Sequence, residues 1–380
     1  MAKKKVLKKT ELIYEDRSVY EAALDRIDRI YNSHDEFWVS YSGGKDSRVC
    51  LKLVEEYFDS KGITDKINVI FRDEEVIQGS IREFVLEDAK NPKYNFIYMA
   101  TPLHSEIYVM GEKKKYIQWD EGREWVVSKP NIAESLGVVC DQYDFDMHYF
   151  KNKKHKKIAM TIGIRADESI TRYRGVTSSA IPYSTVNPKA KNITMFKPIY
   201  DWSEKDIFKY FFDNKIDYCR IYDSQVFNKD SLRVASELHA EASKRIYKLK
   251  TIDPDLYNQI MNVFPEIDIQ ARYYKDAIAG RALKIAYEYK EKANGDPWGG
   301  IYIYIKENLK DEPFHSMAMK KVIGVRCRAQ INRSEDNPFG GYPALYVFKA
   351  ILKGEFKRAL APTPVRQKGD FEYENISDRA

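Results

Sequence analysis

The chain of 380 residues carries 63 Lys and Arg against 57 Asp and Glu, a formal net charge of +6, with 43% hydrophobic and 32% charged residues. That is enough apolar material for a full core and more than one domain, and no apolar run approaches the roughly 20 residues of a membrane span. The charge excess does not by itself require nucleic acid. Four scattered cysteines (Cys50, Cys140, Cys219, Cys327), with no C-x-x-C, argue against a disulfide framework, a zinc ribbon or a four-cysteine iron–sulfur cluster.

Residues 1–17 read as a basic arm, lysine-rich but leading into no apolar h-region, so the expected address is the cytoplasm. Ser18 with Glu21 forms a capping-box pattern, and Val19, Ala22, Ala23, Ile27 and Ile30 give the helix that follows one apolar face. The apolar stretch Phe37-Trp38-Val39-Ser40-Tyr41 reads as a buried strand entering a Gly-Gly turn. A helix with Val49, Leu51, Leu53, Val54, Tyr57 and Phe58 on its apolar side comes at once behind it.

A strand that turns sharply into a helix presents bare N–H groups and the positive end of the helix dipole at one point. Gly43 and Gly44 permit positive φ and let an anion approach without a Cβ in the way. Ser42 and Ser47 add hydroxyls, Lys45 adds a point charge, and Asp46 can cap the helix or help hold Mg²⁺. Ser42-Gly43-Gly44-Lys45-Asp46-Ser47 therefore reads as a phosphate cradle, with an ordinary Gly-Gly turn as the plain alternative. Its spacing is neither that of a Walker A loop nor G-x-G-x-x-G.

Strands at 67–71 and 96–100 flank a helix at 80–89, an alternation that predicts βαβ units and a parallel sheet. Ligands in such sheets lie beyond the C-terminal strand ends, where Ser42, Asp73 and Thr101 fall. Asp73 is accordingly a nucleotide or metal contact, or else part of a solvated acidic turn. The stretch 108–149 reads as an irregular insertion, and the basic run 151–157 as a solvated loop, with a phosphate-backbone contact as its alternative. A strand at 158–164 ends in Gly163-Ile164-Arg165-Ala166-Asp167-Glu168-Ser169, with Arg172 just beyond. Gly163 would let the strand end approach a ligand, and Arg165 and Arg172 offer planar forks for phosphate or sulfate oxygens. Glu168 would orient an arginine or accept from a ribose hydroxyl. The bland reading is an Arg–Glu network that stitches a loop. Ser203 caps the next helix, and helical patterns dominate 236–293, 314–329 and 344–360, with 301–305 open as a short strand or a helix start. The expected division is 1–17 as arm, 18–235 as nucleotide-binding domain, 236–362 as a mainly helical domain and 363–380 as a disordered tail.

Three signals in one order, 42–47, then 163–169 with Arg172, then 197–207, resemble the phosphoadenylyl-sulfate (PAPS) reductase-like branch of the PP-loop superfamily over residues 30–235. Ile221-Tyr222-Asp223, Leu232-Arg233-Val234 and Asp296-Pro297-Trp298 further resemble a subgroup similar to the immunoglobulin-binding regulator A. The resemblance implies a doubly wound, Rossmann-like α/β fold of the adenine nucleotide alpha hydrolase type, followed by the mostly α-helical C-terminal domain. Residues 42–47 would hold phosphates, and Arg165, Glu168 and Arg172 would complete the nucleotide site. The chain lacks the Glu-Cys-Gly-type motif of sulfonucleotide reductases; Cys327 sits in Val325-Arg326-Cys327-Arg328. The leading expectation is ATP cleavage between the α- and β-phosphates to adenylylate an acceptor, with Lys45 and Asp46 as catalytic groups and Mg²⁺ bridging pyrophosphate oxygens. A PAPS reductase and a non-catalytic nucleotide-binding regulator with a ParB-like partner are the two alternatives.

Overall fold

The computed structural model describes residues 15–109, 112–142, 144–177, 181–227, 232–239, 242–310, 314–327, 341–352 and Tyr373. The chain forms two compact units, one of Met1–Tyr108 with Lys113–Asp268 and one of Val109–Glu112 with Ile269–Ala380. Most of the basic arm and of the tail lies outside the described residues.

The first unit opens with α1 (Val19–Tyr31), whose capping box is formed as the sequence predicts: the Ser18 hydroxyl accepts from Glu21 N, and the Glu21 carboxylate accepts from Ser18 N. In β1 (Glu36–Tyr41), Phe37, Val39 and Tyr41 pack into one core while Trp38 packs into another on the opposite face. Cover on both faces is why the strand reads as a nearly continuous apolar run. Next come α2 (Lys45–Lys61), β2 (Ile67–Arg72), α3 (Gly79–Asp88) and β3 (Tyr94–Met99), within about two residues of their predicted limits.

The stretch 108–149 is irregular only in part, at 119–132 and 135–139, and regular elements begin just before it. These are β4 (Leu103–Val109), β5 (Glu112–Gln118), the two-residue strands β6 (Ala133–Glu134) and β7 (Cys140–Asp141), and α4 (Phe145–Tyr149). Strands β5-β4-β7 make a small separate sheet. The chain then adds β8 (Ile158–Thr161), α5 (Ile170–Thr177), β9 (Ser184–Val186), β10 (Ile193–Phe196), α6 (Glu204–Asp213), α7 (Ile221–Phe227), α8 (Leu249–Ile252), α9 (Pro254–Val263) and α10 (Glu266–Lys292).

The main sheet has the order β6-β3-β2-β1-β8-β10-β9, and its strand pairs are parallel except for the antiparallel β10–β9 edge. Winding starts at β1, runs outward through β2 and β3, and returns to place β8 and β10 on the other flank. Val39 thus pairs with Val69 on one side and Thr161 on the other. The carboxyl ends of β1 and β8 flank the topological switch point, where open α/β sheets hold their ligands.

The basic run is not simply solvated. Lys153 and Lys156 reach the Glu36 carboxylate at 2.8 and 2.6 Å, and Trp38 Nε1 donates to it at 3.0 Å. Partial burial alone would raise the Glu36 pKa, but these donors pull it down to about 2 from its ordinary 4.5. A depressed carboxylate contributes stability that is present above its unfolded value and lost as pH falls through the folded one. Wild type is therefore expected to exceed Glu36→Gln in urea stability above pH 4.5, with the gap closing toward pH 2. A gap independent of pH would refute this account.

The first unit extends to Asp268 rather than to residue 235, because the chain beyond 235 is pinned to it. Ser236 N donates to Glu74 Oε2 at 3.0 Å, Glu237 N to Val76 O at 2.8 Å, and the Arg123 guanidinium lies 5.0 Å from the Phe264 ring. In the second unit, α11 (Pro297–Asn308), α12 (Phe314–Cys327) and α13 (Ala344–Leu352) join the later turns of α10 around Ala286, Ile301, Ile305, Val322, Leu345 and Phe348. Residues 301–305 are mid-helix, and the Asp296 side chain caps α11 by accepting from Trp298 N at 2.9 Å. Tyr373, within the expected tail, is fully buried against Tyr287. No helix among the described residues is long and apolar enough to cross a membrane.

Candidate functional site

At the end of β1 the chain turns through Ser42 and Gly43 to Gly44, the N-cap of α2. Gly43 takes φ +69°, and a Cβ there would lie 2.8 Å from Val85 Cγ2, so this glycine serves the packing of α3 as well as the turn. Gly44 gives α2 no side-chain cap. The loop is fastened by its serines: Ser42 N donates to Ser47 Oγ at 3.1 Å, the two hydroxyls lie 2.9 Å apart, and Ser47 Oγ donates to Gly44 O at 3.0 Å.

Residues 42 and 44–47 line a cavity of about 1020 Å³ together with 162–165, Glu168 and Arg172 from the segment after β8. The loops after β1 and β8 therefore face one space, as their flanking position in the sheet requires. A ligand pocket commonly spans ~300–1,000 Å³, so the cavity has room for a nucleotide and a second reactant.

Lys45 is 4% exposed, and its Nζ donates to Leu232 O at 2.8 Å and to Asp46 Oδ2 at 3.2 Å, with Glu204 Oε2 at 3.8 Å. The other oxygen of Asp46 accepts from Arg165 Nε at 2.5 Å. Arg165 is buried, also donates to Trp202 O at 3.3 Å, and spends its fork on holding Asp46 and the loop before α6. Glu168 accepts from Arg165 N and is ion-paired to Arg172. The bland Arg–Glu network thus exists, and it is built into the cavity wall. Arg172 is the more accessible fork, its side chain 41% exposed; burial, and then the charge of neighbouring Arg233, push its pKa below the ordinary value. Clustered guanidinium groups are the local condition under which an anion is welcome.

Two expected contacts have close partners within the protein. A Cβ on Gly163 would sit 2.7 Å from Ser47 N and 2.8 Å from Asp46 C, so this glycine admits the backbone of α2, and it lines the cavity as well. Asp73 lies outside the cavity lining. Its carboxylate is buried and accepts from Glu75 N, from Arg82 Nε and Nη2, and from Tyr98 OH at 2.5 Å. Its neighbour Glu74 lines the cavity instead, held by Gln142 Nε2 at 3.2 Å and Ser236 N. Glu75 is fully buried at φ +65° and accepts from Trp119 N, Val126 N and both terminal nitrogens of Arg123. Asp73 and Glu75 pin the turn inward, and Glu74 is left on the open side.

Sequence reasoning did not assign Tyr222, Leu232, Glu74, Glu204 or Arg233 to the cavity. Tyr222 and Leu232 belong to the Ile-Tyr-Asp and Leu-Arg-Val stretches, so the signal existed, but only as a mark of resemblance. Cys50, Cys140 and Cys219 are buried, none of them lines the cavity, and desolvation raises the pKa of each thiol. The side chain of Cys327 lies outside the described residues.

Residues 36–267, from the start of β1 to one residue short of the unit boundary, match the family model of the phosphoadenosine phosphosulfate reductase domain. The chain belongs to that family. Within this PAPS reductase domain lie both loops that face the cavity, together with Tyr222 and Leu232. Among curated proteins the chain is similar to the uncharacterized protein YbdN of Escherichia coli (strain K12), 29% identical over 218 residues, or 51% of this chain and 52% of that protein. The chain thus spans about half the length of this relative. Among solved structures it is similar to the FMN adenylyltransferase of Candida glabrata in complex with FMN and the ATP analog AMPCPP, with 14% identity, a TM-score of 0.37 and coverage of 56% of this chain and 63% of that one. The phosphate complex of PAPS reductase from Candida auris is similar with 11% identity, a TM-score of 0.33 and coverage of 59% and 98%.

Proposed function

We propose that the PAPS reductase domain binds an adenine nucleotide at the 42–47 loop and cleaves ATP between its α- and β-phosphates. An acceptor nucleophile would form a bond to the α-phosphorus, the bridging P–O bond would break, and its electron pair would leave on pyrophosphate. The observation that carries this reading is the one cavity lined by Lys45, the start of α2 and Arg172. Lys45 and the loop amides are suited to stabilising charge on departing pyrophosphate. Both Asp46 oxygens already face cations, and among the described residues no group of three His, Cys, Asp or Glu is placed to hold a metal. Asp46 therefore fits poorly as a resident Mg²⁺ ligand. Mg²⁺ would instead arrive with ATP as its counter-ion.

A second reading has its own support. The Leu232 carbonyl holds the ammonium that cleavage requires, in a stretch that marks the resemblance to the immunoglobulin-binding regulator A. That favours a regulator that binds nucleotide without turnover, with a ParB-like partner as companion. The reductase alternative needs a thiol within reach of a bound sulfonate, and none of Cys50, Cys140 and Cys219 supplies one.

The test is calorimetry with ATP, followed by product analysis with ATP and with PAPS plus thioredoxin. Pyrophosphate from ATP is expected, with Arg172→Ala weakening ATP binding by roughly 1.5–3 kcal/mol and lysine restoring only part. Binding without product would install the regulator, and sulfite from PAPS would install the reductase.

A further inference from the structure

Tyr222 lies in α7, 177 residues beyond the loop, yet its hydroxyl is inside the cradle. Its oxygen accepts from Lys45 N at 2.7 Å and would lie 3.2 Å from a Cβ built on Gly44. The ring is 2% exposed and is set between Phe208 and Tyr218, with centroid separations of 6.4 Å to each, while Lys45 Nζ stands 5.5 Å from its centroid. Ring packing of this kind fixes where the hydroxyl points, so no ordering cost falls on a ligand that meets it.

A phenol oxygen that accepts from a backbone N–H still has its own proton to donate. Burial raises the Tyr222 pKa far above the neutral range, which keeps that proton in place. Tyr222 also lines the cavity, at the point where the first amide of α2 would otherwise meet an anion alone. We infer that Tyr222 is a phosphate-contacting residue, its hydroxyl relaying the Lys45 amide and donating to an oxygen of the β- or γ-phosphate. This inference rests on the adenine-nucleotide reading for the identity of the ligand, but not for the anion contact itself.

The decisive variant is Tyr222→Phe, which keeps the ring and removes the donor. Calorimetry would use three probes, ATP, AMP and inorganic pyrophosphate, with thermal unfolding as control. The expected result is a loss of about tenfold or more in affinity for ATP and pyrophosphate, as for a hydrogen bond to a charged group, with AMP affinity unchanged and the melting temperature lowered only modestly, because the Lys45 amide also loses its acceptor. Equal affinities for wild type and variant would overturn the inference, as would an equal loss for AMP, which would reveal a general change in the cavity. If wild type binds pyrophosphate but not ATP, and the variant loses pyrophosphate, the inference stands while the nucleotide reading falls. Wild type that binds neither anion would overturn both.

Discussion

Replacing Lys45 by methionine is expected to slow ATP-dependent pyrophosphate release by about 10²–10³-fold, the usual consequence of removing one preorganised group that stabilises developing charge. Methionine keeps the length and burial of the stem, so the change isolates the ammonium. The group is 4% exposed and held between Asp46, Glu204 and the Leu232 carbonyl. In so enclosed a place a charge acts through a lower dielectric than water and is worth more to a departing anion. ATP affinity should fall far less than the rate, because the charge on the leaving group is greatest in the transition state. Steady-state pyrophosphate release and ATP calorimetry on the same samples separate the two quantities. A variant that turns over at the wild-type rate would remove Lys45 from the chemistry and leave the cradle a binding element only.

Glu75→Ala should cost the first unit about 3–5 kcal/mol of stability, the usual price of deleting one partner of a buried ion pair. The carboxylate receives four donors, from Trp119 N at 2.6 Å, Val126 N at 2.9 Å and Arg123 at 2.7 and 2.6 Å. Alanine would strand the two backbone amides without acceptors and leave the guanidinium short of its anion. It would also retain a left-handed backbone that alanine tolerates no better than glutamate. Glu75→Gln keeps one acceptor oxygen and should recover part of the loss. Urea unfolding followed by tryptophan fluorescence, with Trp119 as a local reporter, gives both values. A change below about 1 kcal/mol for alanine would show that the network is dispensable.

What the sequence disclosed followed from local chemistry. The apolar run of β1, the Gly-Gly turn and the apolar side of α2 place the cradle without any distant information, and Ser18 and Ser203 announce helix starts through caps that operate within three residues. The small sheet stayed hidden because β5 opens Glu112-Lys113-Lys114-Lys115, a stretch with no alternation of apolar and polar positions. Asp73 illustrates a different difficulty. Its place at a strand end is legible, but whether Asp73 or Glu74 turns toward the cavity is decided by Arg82, Tyr98 and Trp119, which only the folded chain brings together. Gly163 is expected from sequence to let a ligand approach, and only tertiary structure shows that the backbone of α2 also passes there. Tyr222 and Leu232 had no local signature for their contacts with Lys45, since nothing in a short window marks a residue that completes a loop built far upstream.

That distance matters while the chain is being made. The Lys45 amide and ammonium are matched by groups 177 and 187 positions later. At about 5–20 residues per second a ribosome needs roughly ten to forty seconds to cover that gap. Once β2 has been made, β1, α2 and β2 can assemble for the rest of this interval, while the lysine and the first amide of α2 still lack Leu232 and Tyr222. A nascent chain would thus display an incomplete cradle to solvent, and nucleotide or chaperone present at that stage would meet a different surface from that of the finished protein.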